Sequence, residues 1–349
     1  MNVRILVIAI LATFVSFQVA ASEGTLVSAK TASAPTIDGM AGSEWDKATP
    51  LKVTVNKLPY EPSNGYPGMT ETTVTLRSMH DGDNLYMLIQ YDDPTKSLER
   101  FPWIKQADGS WKQKSDKDST GHENHYYEDK LAILWDINAR GFGKKGCAAA
   151  CHMAKNGMNE GIEDKAPGRK FTSRDGQTID MWHWKSVRSA PVDQFDDQYI
   201  DSNKDPKKNE NWGRHGDSKP GGGYKNNKTE DGKMPAYMAK GGPTGDYWLK
   251  KTDAVPFVDT FKEGDMVPGI VVSPFEGSRG DISAKADYKD GVWTIELQRK
   301  LETSGDNVDT QDIQFTDMSK SYPFGVAVFD NSQINHIYHE GVYELKFEN

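Results

Sequence analysis

Polar and apolar residues alternate with a period of two over several short stretches, each bounded by turn-forming residues. Residues 72–76 alternate, Asp81-Gly82-Asp83-Asn84 supplies a turn, and residues 85–91 run back, which predicts an antiparallel hairpin. Leu131-Ala132-Ile133-Leu134-Trp135 is an unbroken apolar run, the pattern of a strand buried on both faces. Further strands are expected at 292–297, after the Asp290-Gly291 turn, at 325–329 and at 342–347. Few stretches keep a helical period. Short strands at irregular spacing with glycine-rich turns predict a mainly β fold, an antiparallel β-sandwich.

Between the strand ending near 137 and the one beginning near 292, the pattern becomes polar and irregular. Residues 201–246 are dense in Asn, Lys, Gly and Asp, as in Lys219-Pro220-Gly221-Gly222-Gly223. Such a composition buries little apolar surface and reads as extended loop. Residues 22–349 are therefore read as one sandwich domain with a long loop-rich insertion over about 138–285. Residues 1–21 read as an export signal, with Arg4, an apolar run from Ile5 to Val15, and Val19 and Ala21 at the −3 and −1 positions. Cleavage is expected near Ala21, leaving a periplasmic protein with no membrane span, because the apolar run is too short to cross. Loss of Arg4 with this segment takes the net charge from −9 to −10. An acidic chain argues against nucleic acid and suits docking to a basic partner surface.

The chemistry concentrates at Cys147-Ala148-Ala149-Ala150-Cys151-His152, which contains both cysteines of the chain. Two thiols followed by an imidazole are what covalent haem attachment needs. Each cysteine forms a thioether with a vinyl group, and the histidine ligates the iron. The usual spacing places two residues between the cysteines; here there are three. A disulfide across so short a loop, a zinc site with His152, and two free thiols are the competing readings. The expectation is one covalent haem c, held by Cys147, Cys151 and His152. The motif opens the loop-rich insertion, where a rigid β scaffold commonly carries its site.

Ala34-Pro35-Thr36-Ile37-Asp38-Gly39 with Glu44-Trp45-Asp46-Lys47-Ala48 resembles the opening of a β-sandwich superfamily. That superfamily includes family-9 carbohydrate-binding modules and the haem-binding γ subunit of ethylbenzene dehydrogenase. Residues 127–136, 180–185 and 291–301 are similar to its haem-binding branch. The resemblance implies a periplasmic electron-transfer domain working with redox partner proteins, among them a catalytic subunit of a molybdenum oxidoreductase of the dimethyl-sulfoxide-reductase type. The γ subunits hold a non-covalent b-type haem between a methionine and a lysine. The covalent motif here stands in the corresponding loop, so that pair does not transfer.

His183, between Trp182 and Trp184, is the first choice for the second axial ligand: on a strand both tryptophans share one face and the imidazole takes the other. Met234 and Met238 are the next candidates, and Lys285 a remote one. Arg188 and Lys185 could pair with haem propionates. His122 and His125 are three apart in a polar stretch, and so are His336 and His339, whose odd spacing on a strand points them to opposite faces. These features predict a monohaem c-type cytochrome, an electron carrier and not an enzyme. The alternatives are a binding module, in which exposed Trp103, Trp111 and Trp212 would stack on sugars, and a haem sensor with an open coordination site.

Overall fold

A computed structural model of the chain describes residues 24–163 and 168–348. The expected export signal at 1–21 lies outside the described residues. Thirteen strands form one sheet: β1 (Thr25–Lys30), β2 (Leu51–Val55), β3 (Thr72–His80), β4 (Asn84–Asp92), β5 (Lys130–Asp136), β6 (Ile179–Lys185), β7 (Asp196–Ile200), β8 (Arg214–Gly216), β9 (Ser283–Lys289), β10 (Val292–Lys300), β11 (Tyr322–Phe329), β12 (Ile337–Tyr338) and β13 (Tyr343–Phe347). The order is β8-β7-β6-β5-β11-β13-β1-β3-β4-β10-β9, with β2 on β3 and β12 on β11. Ile133, Trp135 and Val326 from one half of this path meet Val74, Ile89 and Ile295 from the other in a single apolar core. The path therefore folds over into two facing layers, the sandwich that the alternation predicts. Pairing is not wholly antiparallel, since β1 runs parallel to both of its neighbours, β13 and β3.

The predicted hairpin is β3–β4, with Val74 opposite Tyr91 and Leu76 opposite Ile89. Asp81 Oδ1 accepts the Asp83 and Asn84 amides at 2.9 and 2.7 Å, an Asx-type turn. β5 lies between β6 and β11, which explains its continuous apolar run. The section from 138 to 285 is not all insertion: β6, β7 and β8 extend the main sheet. β7 (Asp196-Asp197-Gln198-Tyr199-Ile200) escapes a hydrophobicity reading because it buries two carboxylates and an amide, Asp196 held by Lys185 and Gln198. The remainder forms short ladders, such as Gly223–Asn226 on Ile270–Ser273.

Glu296 of β10 ties the opening segment to the sandwich. Its Oε2 accepts the Asp38 and Gly39 amides at 2.8 and 2.7 Å, and Oε1 accepts the Ala41 amide and the Trp45 indole N–H at 3.1 and 2.8 Å. Both sequence stretches that carry the family resemblance are joined by this one buried carboxylate.

Candidate functional site

Strand alternation gives β6 two different faces. Trp182 and Trp184 enter the apolar core, where Trp182 packs on Trp135 (ring centroids 4.9 Å) and Trp184 on Trp293 (4.8 Å). Met181 and His183 turn to the other face and line a cavity of about 480 Å³. This volume falls within the range of roughly 300–1,000 Å³ common for cofactor sites. Register sets small residues beside the imidazole: His183 is opposite Ala132, which is opposite Ala327, and Met181 is opposite Leu134, which is opposite Gly325. These short side chains leave the space that makes the cavity. A Cβ on Gly325 would overlap Cys147 Sγ, so this glycine lets the thiol approach the sheet.

Cys147 and Cys151 both line the same cavity. Gly141 (φ +90°) starts a one-turn helix, Phe142–Lys145, and Gly146 (φ +53°) redirects the chain into a 3-10 turn carrying Cys147. A side chain at Gly146 would overlap the Gly341 carbonyl. Cys147 packs with Ala132, Leu134, Phe142, Met181 and Ala327, and burial pushes its thiol up to about 12. Cys151 Sγ accepts from Lys170 Nζ at 3.5 Å. Cys151 and His152 form a two-residue ladder with Arg169–Lys170, and alternation along it sends the imidazole away from the cysteine. His152 stacks on Phe171 with centroids 3.7 Å apart and an interplanar angle of 5°, and its Nε2 lies 3.1 Å from the Phe171 carbonyl. It is not among the cavity-lining residues.

His183 is buried, with Nδ1 3.5 Å from Gln198 Oε1 and no hydrogen-bond partner for Nε2. Burial, then Lys185, Lys130 and Arg214, hold its pKa well below the usual imidazole value. The ring is therefore neutral at pH 7, the state a metal ligand requires. The cavity walls are cationic: Arg100, Lys170, Arg188, Arg214 and Lys225 line it, and among the described residues Glu210 is the one acidic lining residue. Buried Glu128 offsets part of this charge. Burial opposes its ionisation, yet Arg188 and Arg100 hold it below the ordinary carboxylate value, and it also accepts the Val187 and Arg188 amides at 2.9 and 3.0 Å. A neutral imidazole nitrogen, two thiols and surplus positive charge suit a planar, anionic, metal-bearing ligand.

Other sequence-derived candidates separate clearly. Met234 is exposed and Met238 packs near Trp103 and Phe261, its sulfur accepting the Val258 amide; neither lines the cavity. Lys285 pairs with Asp193 at 2.7 Å on the surface. Lys185 is fully buried in an ion pair with Asp196 and does not line the cavity, whereas Arg188 does. Trp103, Trp111 and Trp212 are only 3 %, 7 % and 1 % exposed, so they form no sugar-stacking platform. Their indoles fill packing sites, and Trp103 donates to the Asn227 carbonyl at 2.6 Å. His122 lines the cavity while His125 pairs with Asp116. His336 lines the cavity too, with Nδ1 2.8 Å from the Ile334 carbonyl, whereas His339 Nε2 accepts the Val326 amide at 3.0 Å. Sequence reasoning missed Met181, which the same alternation that selects His183 would have found. His336 lies just ahead of β12, and it and His339 part to different surroundings, as their odd spacing implies.

No curated protein matches the chain significantly. Two solved structures of a family-9 carbohydrate binding module from Caldicellulosiruptor kristjanssonii are similar to it. One, in complex with glucose, is 10 % identical, covers 93 % of this chain and 96 % of its own, and has a TM-score of 0.33. The other, in complex with cellotriose, is 11 % identical, covers 93 % and 94 %, and has a TM-score of 0.32. The sequence profile described as ethylbenzene dehydrogenase matches residues 43–341, from the 3-10 turn of Trp45 to the turn before β13, so the chain belongs to the ethylbenzene dehydrogenase family.

Proposed function

We propose that this protein is a periplasmic monohaem c-type cytochrome that passes single electrons between redox partners, as an electron-transfer component of a molybdenum oxidoreductase system. The observation that carries this reading is that one cavity collects both cysteines of the chain, a buried neutral histidine with an unpartnered Nε2, and a cationic wall. Cys147 and Cys151 would hold haem through thioether bonds, His183 would supply an axial nitrogen, and Arg188 and Arg214 would neutralise its propionates. Bound haem supplies a one-electron iron couple whose potential responds to ligand, burial and hydrogen bonding. The chain's own part is to keep the His183 ring neutral, to fix it through Gln198, and to exclude water with Phe329, Met181 and Leu134. The family supports the association with a molybdenum enzyme.

For the second axial position, His152 is the residue the motif supplies, and it reaches the cavity only if it leaves its stack on Phe171. A second reading is favoured by a specific placement: His336 already lines the cavity, and burial lowers its pKa to about 3, which keeps it neutral. Protein produced with a haem-maturation system should carry haem that survives acid–acetone extraction and gives a sharp c-type α band when reduced. Haem-free protein, or haem that extracts fully, would refute the proposal. His183→Ala should convert a low-spin spectrum to a mixed or high-spin one. His152→Ala and His336→Ala, compared side by side, identify the partner ligand.

A further inference from the structure

Behind the haem-facing strands, on the core face of β6 and β7, five carboxylates converge in the interior. They are Asp180 of β6, Asp197 of β7, Asp217 just after β8, Asp281, and Asp312. One ligand oxygen from each of Asp197, Asp217 and Asp312 lies within 4.8 Å of the other two. The fully buried Arg299 reaches them, its Nη2 3.8 Å from Asp180 and 3.6 Å from Asp312 while Nη1 donates to the Ile313 carbonyl at 2.9 Å; Arg279, packed at Gly216 beside Asp217, is committed to Asp196, and Asp312 accepts the Ser278 and Thr303 hydroxyls. Arg299 at those distances and an Arg279 already paired with Asp196 do not balance five carboxylates. The hydrogen bonding is equally incomplete. Both oxygens of Asp217, which is 3 % exposed, lack a donor, and so do both of Asp281, Oδ2 of Asp197 and Oδ1 of fully buried Asp180. Asp180 belongs to no triad by its own spacing, yet its free Oδ1 stands among these acids and its charge acts on Asp197 and Asp217.

Buried, unpartnered carboxylate oxygens cost free energy unless they are protonated or coordinate a cation. A second buried triad shows the contrast. Asp129 accepts the Ser97 and Asn331 amides and the Trp293 indole, Asp93 the Thr95 amide, and Asp330 the Met69 amide. That triad is largely satisfied by the protein. The β6–β7 cluster is not. The geometry points to a structural divalent-cation site for Ca²⁺ formed by Asp197, Asp217 and Asp312, with Asp180 and Asp281 at its edge. An all-oxygen, carboxylate-rich donor set with no nitrogen or sulfur selects a hard cation, and Ca²⁺ accepts six to eight oxygens with loose geometry, whereas Mg²⁺ demands near-ideal octahedral order and retains water. The ion would pin the strand ends beyond His183 from the core side and leave the cavity side free.

The test is thermal unfolding of the full chain after chelator treatment, with and without added Ca²⁺, and with Mg²⁺ as comparator. Ca²⁺ at a hundredfold excess over its Kd should raise the midpoint by about 4 °C, and Mg²⁺ by much less. Asp217→Asn should abolish the shift, and Asp129→Asn, in the other triad, should retain it. Metal analysis of dialysed wild-type protein should find Ca²⁺ at one per chain, a readout that does not depend on the variants folding. A wild-type midpoint indifferent to Ca²⁺ with no bound metal overturns the proposal, as does a Ca²⁺ shift that survives in Asp217→Asn.

Discussion

Lys185, two positions along β6 from His183, and Asp196, directly opposite His183 on β7, are both fully buried, and replacement of Asp196 by Asn gives a demanding test of the electrostatic framework. Asp196 pairs with Lys185 and Arg279 and accepts Gln198 Nε2 at 2.8 Å. Asparagine keeps the shape and loses the charge, so Lys185 remains buried with no counterion. Breaking such a pair from one side costs about 3–5 kcal/mol. With an unfolding entropy of roughly 2.1 cal/mol/K per residue, a chain of this length loses about 4–7 °C in midpoint. The pH dependence separates this cause from simple loss of packing. In the wild type, burial opposes ionisation of Asp196, but Lys185 and Arg279 hold its pKa below the ordinary carboxylate range. Its contribution is present above the unfolded value and is lost as pH falls through the folded one. Burial lowers the Lys185 pKa, and Asp196 offsets part of that. In the variant the Lys185 pKa falls further. The unfolded state then binds the extra proton, so stability climbs with pH up to the unfolded lysine value near 10.4, by at most about 1.4 kcal/mol per pH unit. Denaturant unfolding at pH 6 to 10 measures this slope, and adding Lys185→Met to the variant should flatten it. A loss under about 1 kcal/mol at pH 7, or a slope equal to that of the wild type, refutes the reasoning.

Two further outcomes follow from packing and hydrogen bonding. Glu296→Ala strands three backbone N–H groups and the Trp45 indole; it should cost at least about 2 kcal/mol in denaturant unfolding and should speed hydrogen exchange at Asp38, Gly39 and Ala41 selectively. Gly325→Ala drives a methyl group into Cys147 Sγ; it should cost about 1–3 kcal/mol and accelerate alkylation of Cys147 in haem-free protein, where the wild-type thiol, pushed up to about 12 by burial, reacts far more slowly than an ordinary cysteine.

Where burial and alternation agree, the fold is legible in the residues themselves. The apolar run 131–135 and the pair Trp182/Trp184 flanking His183 lead directly to β5 and to the two-faced β6. β7 is hidden because it buries polar Asp196, Asp197 and Gln198, Asp196 and Gln198 through charge and hydrogen bonding, which no hydropathy pattern records. Cys147 and Cys151 share a cavity, but the direction of His152 depends on its ladder with Arg169–Lys170, a contact 17 residues away in the chain. The cationic wall draws Arg100, Arg188 and Arg214 from three separate segments, so only the folded sheet assembles it.

β1 sits between β13 and β3, pairing Thr25 with Glu344 and Ser28 with Ser78. The first described strand thus waits for the last described one. Almost the whole polypeptide must be searched before this seam closes, a contact order that slows folding. A nascent chain stopped before residue 343 leaves one side of β1 unpaired and an open strand edge in the middle of the sheet path. Truncation before residue 343 should therefore yield aggregation-prone chains, not a shortened but working sandwich.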